Sequence, residues 1–484
     1  MEKNRDVVNS IKRKTILSTL SLFFQSGYSA VLGLAANLVL TILLSPGVFG
    51  IYIATLSIIS ILNYFSDIGM AASLIQKKEV THEDEKTAFT IQQMLVISLV
   101  AMGFFATDAI ASFYKLPSEG RLLYWALLAG FFLSSLKTIP SVLLEKEIKF
   151  EKIVLVQIVE NTVFYLTVIV MAILGYKLNS FTVAVLLRSL IGVVLIYRFS
   201  PWKMSLGIDR NSYKKLISFG LPFQGSSLLA LVKDDLLTLY LGKVLGFTGL
   251  GYIGWAKKWA ESPIRIIMDS ISRVLFPLFS RFQNDRSRLS RLIEKIIHYQ
   301  SFLILPTIAG MALVMDKIVA IIPKYSQWQP ALPLFYLFCL SALMSSYSTP
   351  FINFLNGIGR VKVSFYFMVF WTALTWILTP AFIHYYGYIG FPVTLVILSS
   401  TFVIVIAITK KSVDFNFAKS VYPFFFATVV MGLAVLASFR LSLPQLPALI
   451  TAIMTGIISY ILSVRFIFRI DFSHELLDIL KQKN

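Results

Sequence analysis

Phe181-Thr-Val-Ala-Val-Leu-Leu-Arg-Ser-Leu-Ile-Gly-Val-Val-Leu-Ile196 holds a single charged residue, Arg188, near its middle. With its apolar flanks the run is long enough to cross a bilayer, which takes about 20 mainly apolar residues in a helix. A cation at that depth costs roughly 2.5–3.5 kcal/mol on an insertion scale, so it faces a protein interior or a watery cavity rather than lipid. Two readings follow. Either Arg188 lines a cavity that receives an anion, or it is bonded to a buried acid or to helix carbonyls.

The rest of the chain repeats the pattern. Of 484 residues, 57% are hydrophobic and 14% charged. Soluble domains average about 45–50% and about 25%. The excess is spread evenly, which predicts an all-α polytopic membrane protein. Applying the length rule along the chain gives about fourteen spans. They lie near 18–44, 50–72, 88–111, 121–142, 153–174, 180–199, 215–241, 249–280, 297–322, 331–356, 363–384, 389–409, 421–440 and 446–467.

The net charge of +19 then has a topological cause rather than a nucleic-acid partner. Alternate loops collect Lys77 and Lys78, then Lys146, Lys149 and Lys152, then Arg281, Arg286, Arg288 and Arg291, and so on to the C-terminal tail. The intervening loops hold little beyond Lys115, Lys177, Lys243, Lys317, Lys324 and Arg440. By the positive-inside rule both termini are expected in the cytoplasm. Residues 281–296 space Leu289, Leu292, Ile293 and Ile296 between arginines, an amphipathic helix for the inner surface.

Catalytic chemistry finds little foothold. Cys339 is the lone cysteine, and His82, His298, His384 and His474 are scattered without ligand spacing, so no metal site is expected. No loop is long enough for a soluble catalytic domain. A membrane enzyme such as a polysaccharide polymerase or acyltransferase would need an exposed catalytic loop or a buried His/Asp group. The reading is therefore not an enzyme.

An internal repeat is visible. Ser45-Pro-Gly-Val-Phe-Gly-Ile-Tyr-Ile-Ala54 opens the second span and Gly246-Phe-Thr-Gly-Leu-Gly-Tyr-Ile-Gly-Trp-Ala256 the eighth. An offset of six spans keeps both halves in one orientation, so the repeat axis runs along the membrane normal. That implies two six-helix lobes followed by two further helices. The divisions are 1–199, 200–411 and 412–484.

Around the second copy, Gly251-Tyr252, Ala256 and Pro263 precede Arg273-Val-Leu-Phe-Pro-Leu-Phe-Ser-Arg-Phe-Gln283 and Asp285. With Leu143-Leu-Glu-Lys-Glu-Ile-Lys-Phe150 and Phe219-Gly-Leu-Pro-Phe223, this resembles the polysaccharide-transporter branch of the multidrug/oligosaccharidyl-lipid/polysaccharide exporter superfamily. Its members are Wzx-type flippases of lipid-linked oligosaccharides, and the nearest likeness is to colanic-acid and teichuronic-acid exporters. The resemblance implies a MATE-like fold, alternating access and an anionic polyprenyl-pyrophosphate-linked oligosaccharide as cargo. It also implies membrane lipids and a polysaccharide polymerase or co-polymerase as partners. A peptidoglycan-precursor flippase and a multidrug exporter are the alternatives within the same fold.

Candidate site residues follow from depth and spacing. On the eighth span Lys258, Ser262, Arg265, Asp269 and Ser272 share one face, with Lys257, Glu261 and Arg273 four residues from their charge partners. The stripe either lines a hydrated cavity or forms a structural ion-pair ladder. Lys233, Asp234 and Asp235 lie in the seventh span, where an acid can carry a coupling proton or Na⁺ or simply neutralise nearby lysines. Lys137 is a second cation of the first lobe or a snorkelling side chain. Gln25 and Asn37 offer sugar contacts or helix packing, and Asp67 a coupling acid or an end-of-helix contact. No cofactor is called for.

Overall fold

The computed structural model describes residues 2–225 and 231–469, without the side chains of 2–16, 19, 219, 221–223, 225, 270, 273, 274, 276 and 277. Among the described residues there are helices and no strands. That is what a lipid environment permits, because a helix satisfies every backbone polar group within itself.

Two compact units divide the chain, Met1–Gly254 and Trp255–Asn484. The first contains α1 (Glu2–Leu43), α2 (Pro46–Tyr64), α3 (Met70–Gln76), α4 (His82–Phe105), α5 (Thr107–Tyr114) and α6 (Ser118–Leu136). It continues with α7 (Thr138–Lys146), α8 (Phe150–Ile173), α9 (Asn179–Phe199), α10 (Arg210–Gly225) and the π-helical turn Leu231–Asp235. α11 (Leu236–Arg281) begins in the first unit and ends in the second. The second unit then runs through α12 (Arg286–Ile321), α13 (Leu332–Gly357), α14 (Val361–Tyr386), α15 (Gly390–Ser400) and α16 (Phe402–Lys410). α17 (Phe417–Ser438) and α18 (Gln445–Leu462) follow.

Twelve runs among the described residues are long and apolar enough to span a membrane. The expectation was about fourteen, and the difference lies in two compound runs. Leu231–Asp269 is broken at Gly246, whose backbone turns to φ 70°, ψ 174°. Val361–Lys410 is broken by the 3₁₀ turn Gly387–Ile389. Each run therefore joins two segments that the sequence reading counted separately.

Helix ends are set by local chemistry. Thr81 and Asp84 form a reciprocal capping box on α4, and the Asp84 carboxylate also accepts from Lys77. Asp285 caps α12 by accepting from the Arg288 N–H at 3.0 Å. Asn416 does the same for α17 through the Lys419 N–H. Such caps satisfy donors that the first helical turn leaves unpaired.

Each unit has its own core. In the first, Leu40, Leu123, Tyr124, Phe131, Phe164, Val168 and Phe181 pack between α1, α6, α8 and α9. In the second, Phe279, Ile293, Ile297, Tyr347, Phe351 and Phe354 do the equivalent job. Large apolar side chains also cover the outside: Phe24, Phe105, Val194, Ile377 and Leu433 are all exposed. In water that surface would drive aggregation; against lipid tails it is the compatible one.

The two copies of the repeat pack against each other inside the first unit. A Cβ at Gly50 would lie 1.7 Å from the Phe247 carbonyl oxygen. A Cβ at Gly251 would lie 2.0 Å from the Pro46 carbonyl oxygen. One offset relates Pro46 to Phe247 and Gly50 to Gly251, so the two contacts are images of each other. Gly47 faces Thr248 and Ile53 faces Gly254, pairs related by that same offset. Of the glycines in the two repeat copies, Gly50 and Gly251 are where backbone meets backbone.

Candidate functional site

The N-terminal cations lie on one seam of the first unit. α8 and α9 form an antiparallel hairpin joined by residues 174–178. Arg188, half-buried on α9, places its guanidinium carbon 5.7 Å from the centre of the Phe164 ring on α8. Tyr52 and Tyr165 lie within electrostatic range of it. Tyr52 stacks on Phe181 at 4.1 Å, so the cation is walled by aromatic rings. No carboxylate pairs with Arg188 among the described residues. A ring face at such range stabilises a cation by about 0.5–2 kcal/mol.

Lys137 sits one layer away, at the break between α6 and α7. Its ammonium donates to Glu160 on α8, whose side chain is 6% exposed. Gly192, one turn along α9 from Arg188, gives that carboxylate its space: a Cβ there would lie 1.6 Å from Glu160 Oε1. The seam therefore stacks a Glu160–Gly192 layer on a Phe164–Arg188 layer. Glu160 is absent from the residues singled out by sequence. The signal existed, since it is the one charged residue between 153 and 174.

The polar face of α1 zips to α8. Gln25 donates to the Gln157 amide oxygen, Tyr28 and Thr162 share a 2.7 Å hydrogen bond, and Asn161 donates to Ser29 at 3.3 Å. Gln25 is thereby engaged in helix packing. Asn37 differs: its amide nitrogen is buried with no partner among the described residues.

The acids of the first unit divide by role. Asp67 accepts from the Gly69 N–H at 2.7 Å and the Ala71 N–H at 3.3 Å, which caps α3. Asp235 hydrogen-bonds to Ser60 and Tyr64 of α2. Asp234 and Lys233 occupy the same π-helical turn, Asp234 exposed and Lys233 half-buried.

In the second unit Arg265 and Glu261 pair at 3.3 Å, with the Arg265 side chain 70% exposed. Of the expected ladder on this helix, that is the rung closed among the described residues. Lys258 and Asp269 are exposed and Lys257 is half-buried. The Ser262 hydroxyl turns back to the Lys258 carbonyl at 2.6 Å. The side chain of Arg273 lies outside the described residues. Exposed, loosely paired cations of this kind can take an anion without first breaking a strong bond. Among the described residues no three His, Cys, Asp or Glu side chains are placed to hold a metal ion.

The comparisons with known proteins agree with this architecture. A family model described as "Polysaccharide biosynthesis protein" matches residues 39–333. The lipopolysaccharide biosynthesis protein WzxC of Escherichia coli is 26% identical, over 75% of this chain and 74% of its own. The succinoglycan biosynthesis transport protein ExoT of Rhizobium meliloti is 22% identical, over 69% of this chain and 67% of its own. Among solved structures, the lipid II flippase MurJ in an inward closed conformation superimposes with a TM-score of 0.74 at 16% identity. That match covers 94% of this chain and 99% of the other. The expected fold is therefore the observed one.

Proposed function

The chain belongs to this polysaccharide biosynthesis protein family, and we propose that it moves a polyprenyl-pyrophosphate-linked oligosaccharide across the bacterial cytoplasmic membrane. The observation that carries the reading is Arg188: a membrane-embedded guanidinium with an aromatic wall and no acid partner among the described residues. A diphosphate is strongly solvated and cannot cross hydrocarbon alone. It needs fixed cations in a wet chamber, and a planar fork matches its oxygens two at a time. In the first unit that cation is Arg188; the second unit, taken by itself, carries Lys257, Lys258, Arg265 and Arg273 on α11. The prenyl tail stays in lipid while the head group passes by alternating access.

In this reading the protein performs no covalent chemistry, and both termini lie in the cytoplasm. A proton or Na⁺ drives the cycle, with Asp234, Asp235, Glu261 and Asp269 as the carboxylates open to it. A polysaccharide polymerase and co-polymerase act on the delivered cargo. The names of the E. coli and R. meliloti relatives support a role in surface-polysaccharide transport.

The test is flipping by the purified protein in proteoliposomes with a fluorescent polyprenyl-diphosphate oligosaccharide, read as protection from an external quencher. Transport by the wild type and its loss in Arg188→Ala are the expected results. Equal transport by both would overturn the reading. The likeness to a lipid II flippase gives the second reading its one support. Rescue of cells depleted of their own lipid II flippase would favour it.

A further inference from the structure

We propose that Lys137 is a charge shield: by holding Glu160 it keeps the Arg188 guanidinium unpaired and available to a prenyl diphosphate. This rests on the reading of Arg188 as a head-group ligand.

The Glu160 carboxylate is 5% exposed at residue level and lies within a membrane-spanning helix. A charge so placed is tolerated when it has a partner. Two cations are at hand. Lys137 holds it now. Arg188 is the other: it lies four residues from Gly192 on α9, hence on the same face and about 6 Å along the axis. On the opposing helix Glu160 and Phe164 are also four residues apart, and Arg188 rests on Phe164. Glu160 and Arg188 therefore occupy adjacent layers of one seam, within reach of each other's long side chains.

Left alone, that acid and that guanidinium would close a bidentate pair, the strongest arrangement either can make. The seam would then be neutral and hold nothing for a phosphate. Lys137 prevents this. With all three groups charged, one positive charge remains, and it resides on Arg188. Gly192 is part of the device because only a residue without a side chain lets the carboxylate lie against α9 on the Lys137 side. No other Asp, Glu, Lys or Arg lies on the described spans of α1, α8 or α9 facing this seam between 17 and 43, 153 and 173, and 180 and 197.

The test measures binding of farnesyl diphosphate to the purified full-length protein in detergent, with farnesol as the uncharged control and melting temperature read in parallel. Lys137→Met should weaken diphosphate binding by about ten- to a hundredfold, the worth of a charge-assisted hydrogen bond. Lys137→Met/Glu160→Gln should recover to near wild-type affinity, because no acid is left to capture Arg188. This double variant removes both charges together, so it carries the test even where Lys137→Met alone does not fold. Weak binding by a folded double variant overturns the shield and makes Lys137 a direct ligand. Full binding by Lys137→Met overturns it as well. Arg188→Gln separates the premise: undiminished binding there sinks the Arg188 reading itself, whatever the Lys137 variants do.

Discussion

Gly192 and Glu160 fit one another as socket and plug: the carboxylate occupies the space in which any α9 side chain would begin, with Oε1 1.6 Å from the position of a Cβ. A buried charge on α8 is thus accommodated by the absence of a side chain on α9.

The first prediction concerns that socket. Gly192→Ala must push the carboxylate off α9 and away from Lys137. Overpacking of this kind costs about 1–3 kcal/mol. Disrupting a buried pair costs about 3–5 kcal/mol when one charge is left alone. Thermal unfolding in detergent should show a clear drop for Gly192→Ala, and an unchanged midpoint would mean that the seam relaxes freely.

Arg188→Ala and Arg265→Ala should each abolish polysaccharide export while leaving membrane insertion normal. Arg188→Lys should retain part of it, since a point charge replaces a planar fork. The measurement is complementation of an export-deficient strain alongside membrane abundance. Normal export by both alanine variants would remove these residues from the mechanism.

Gly50→Ala and Gly251→Ala should behave as a matched pair. Each added methyl meets a backbone carbonyl that cannot rotate away, at 1.7 Å and 2.0 Å respectively. Both should lower the melting temperature by similar amounts, on the order of the 1–3 kcal/mol of an overpacked site. A large effect at one position and none at the other would contradict the mirrored contact.

Outside the membrane, the Arg288 backbone N–H and the Ser287 hydroxyl hold the Asp285 carboxyl below the usual carboxylate range. A group lowered on folding stabilises the native state above its unfolded pKa of about 3.9, and the contribution fades as pH falls through the lower folded value. Amide-exchange protection at the start of α12 should therefore be flat above pH 5 and decline in that acidic window. Asp285→Asn keeps an N-cap without a titrating group and should flatten the decline.

The acid that matters most to the seam was readable in one respect. Glu160 is a lone charge in an apolar span, the same signal that marks Arg188. Its partner was not readable. Lys137 is distant in sequence and becomes adjacent because α6 breaks at that residue. The polar face of α1 shows the same limit: amide and hydroxyl side chains suit sugar contacts and helix packing alike. The hydrogen bonds from Gln25 to Gln157 and between Tyr28 and Thr162 hold α1 against α8.

Composition and periodicity by themselves determined the solvent, the helical class and the glycine-marked repeat. These are local consequences of a bilayer's thickness and of its refusal to hydrogen-bond with backbone. Tertiary structure alone decided which cation pairs with Glu160. That choice depends on the spacing of α6, α8 and α9 in three dimensions, where one missing side chain at Gly192 settles where the Glu160 carboxylate can lie.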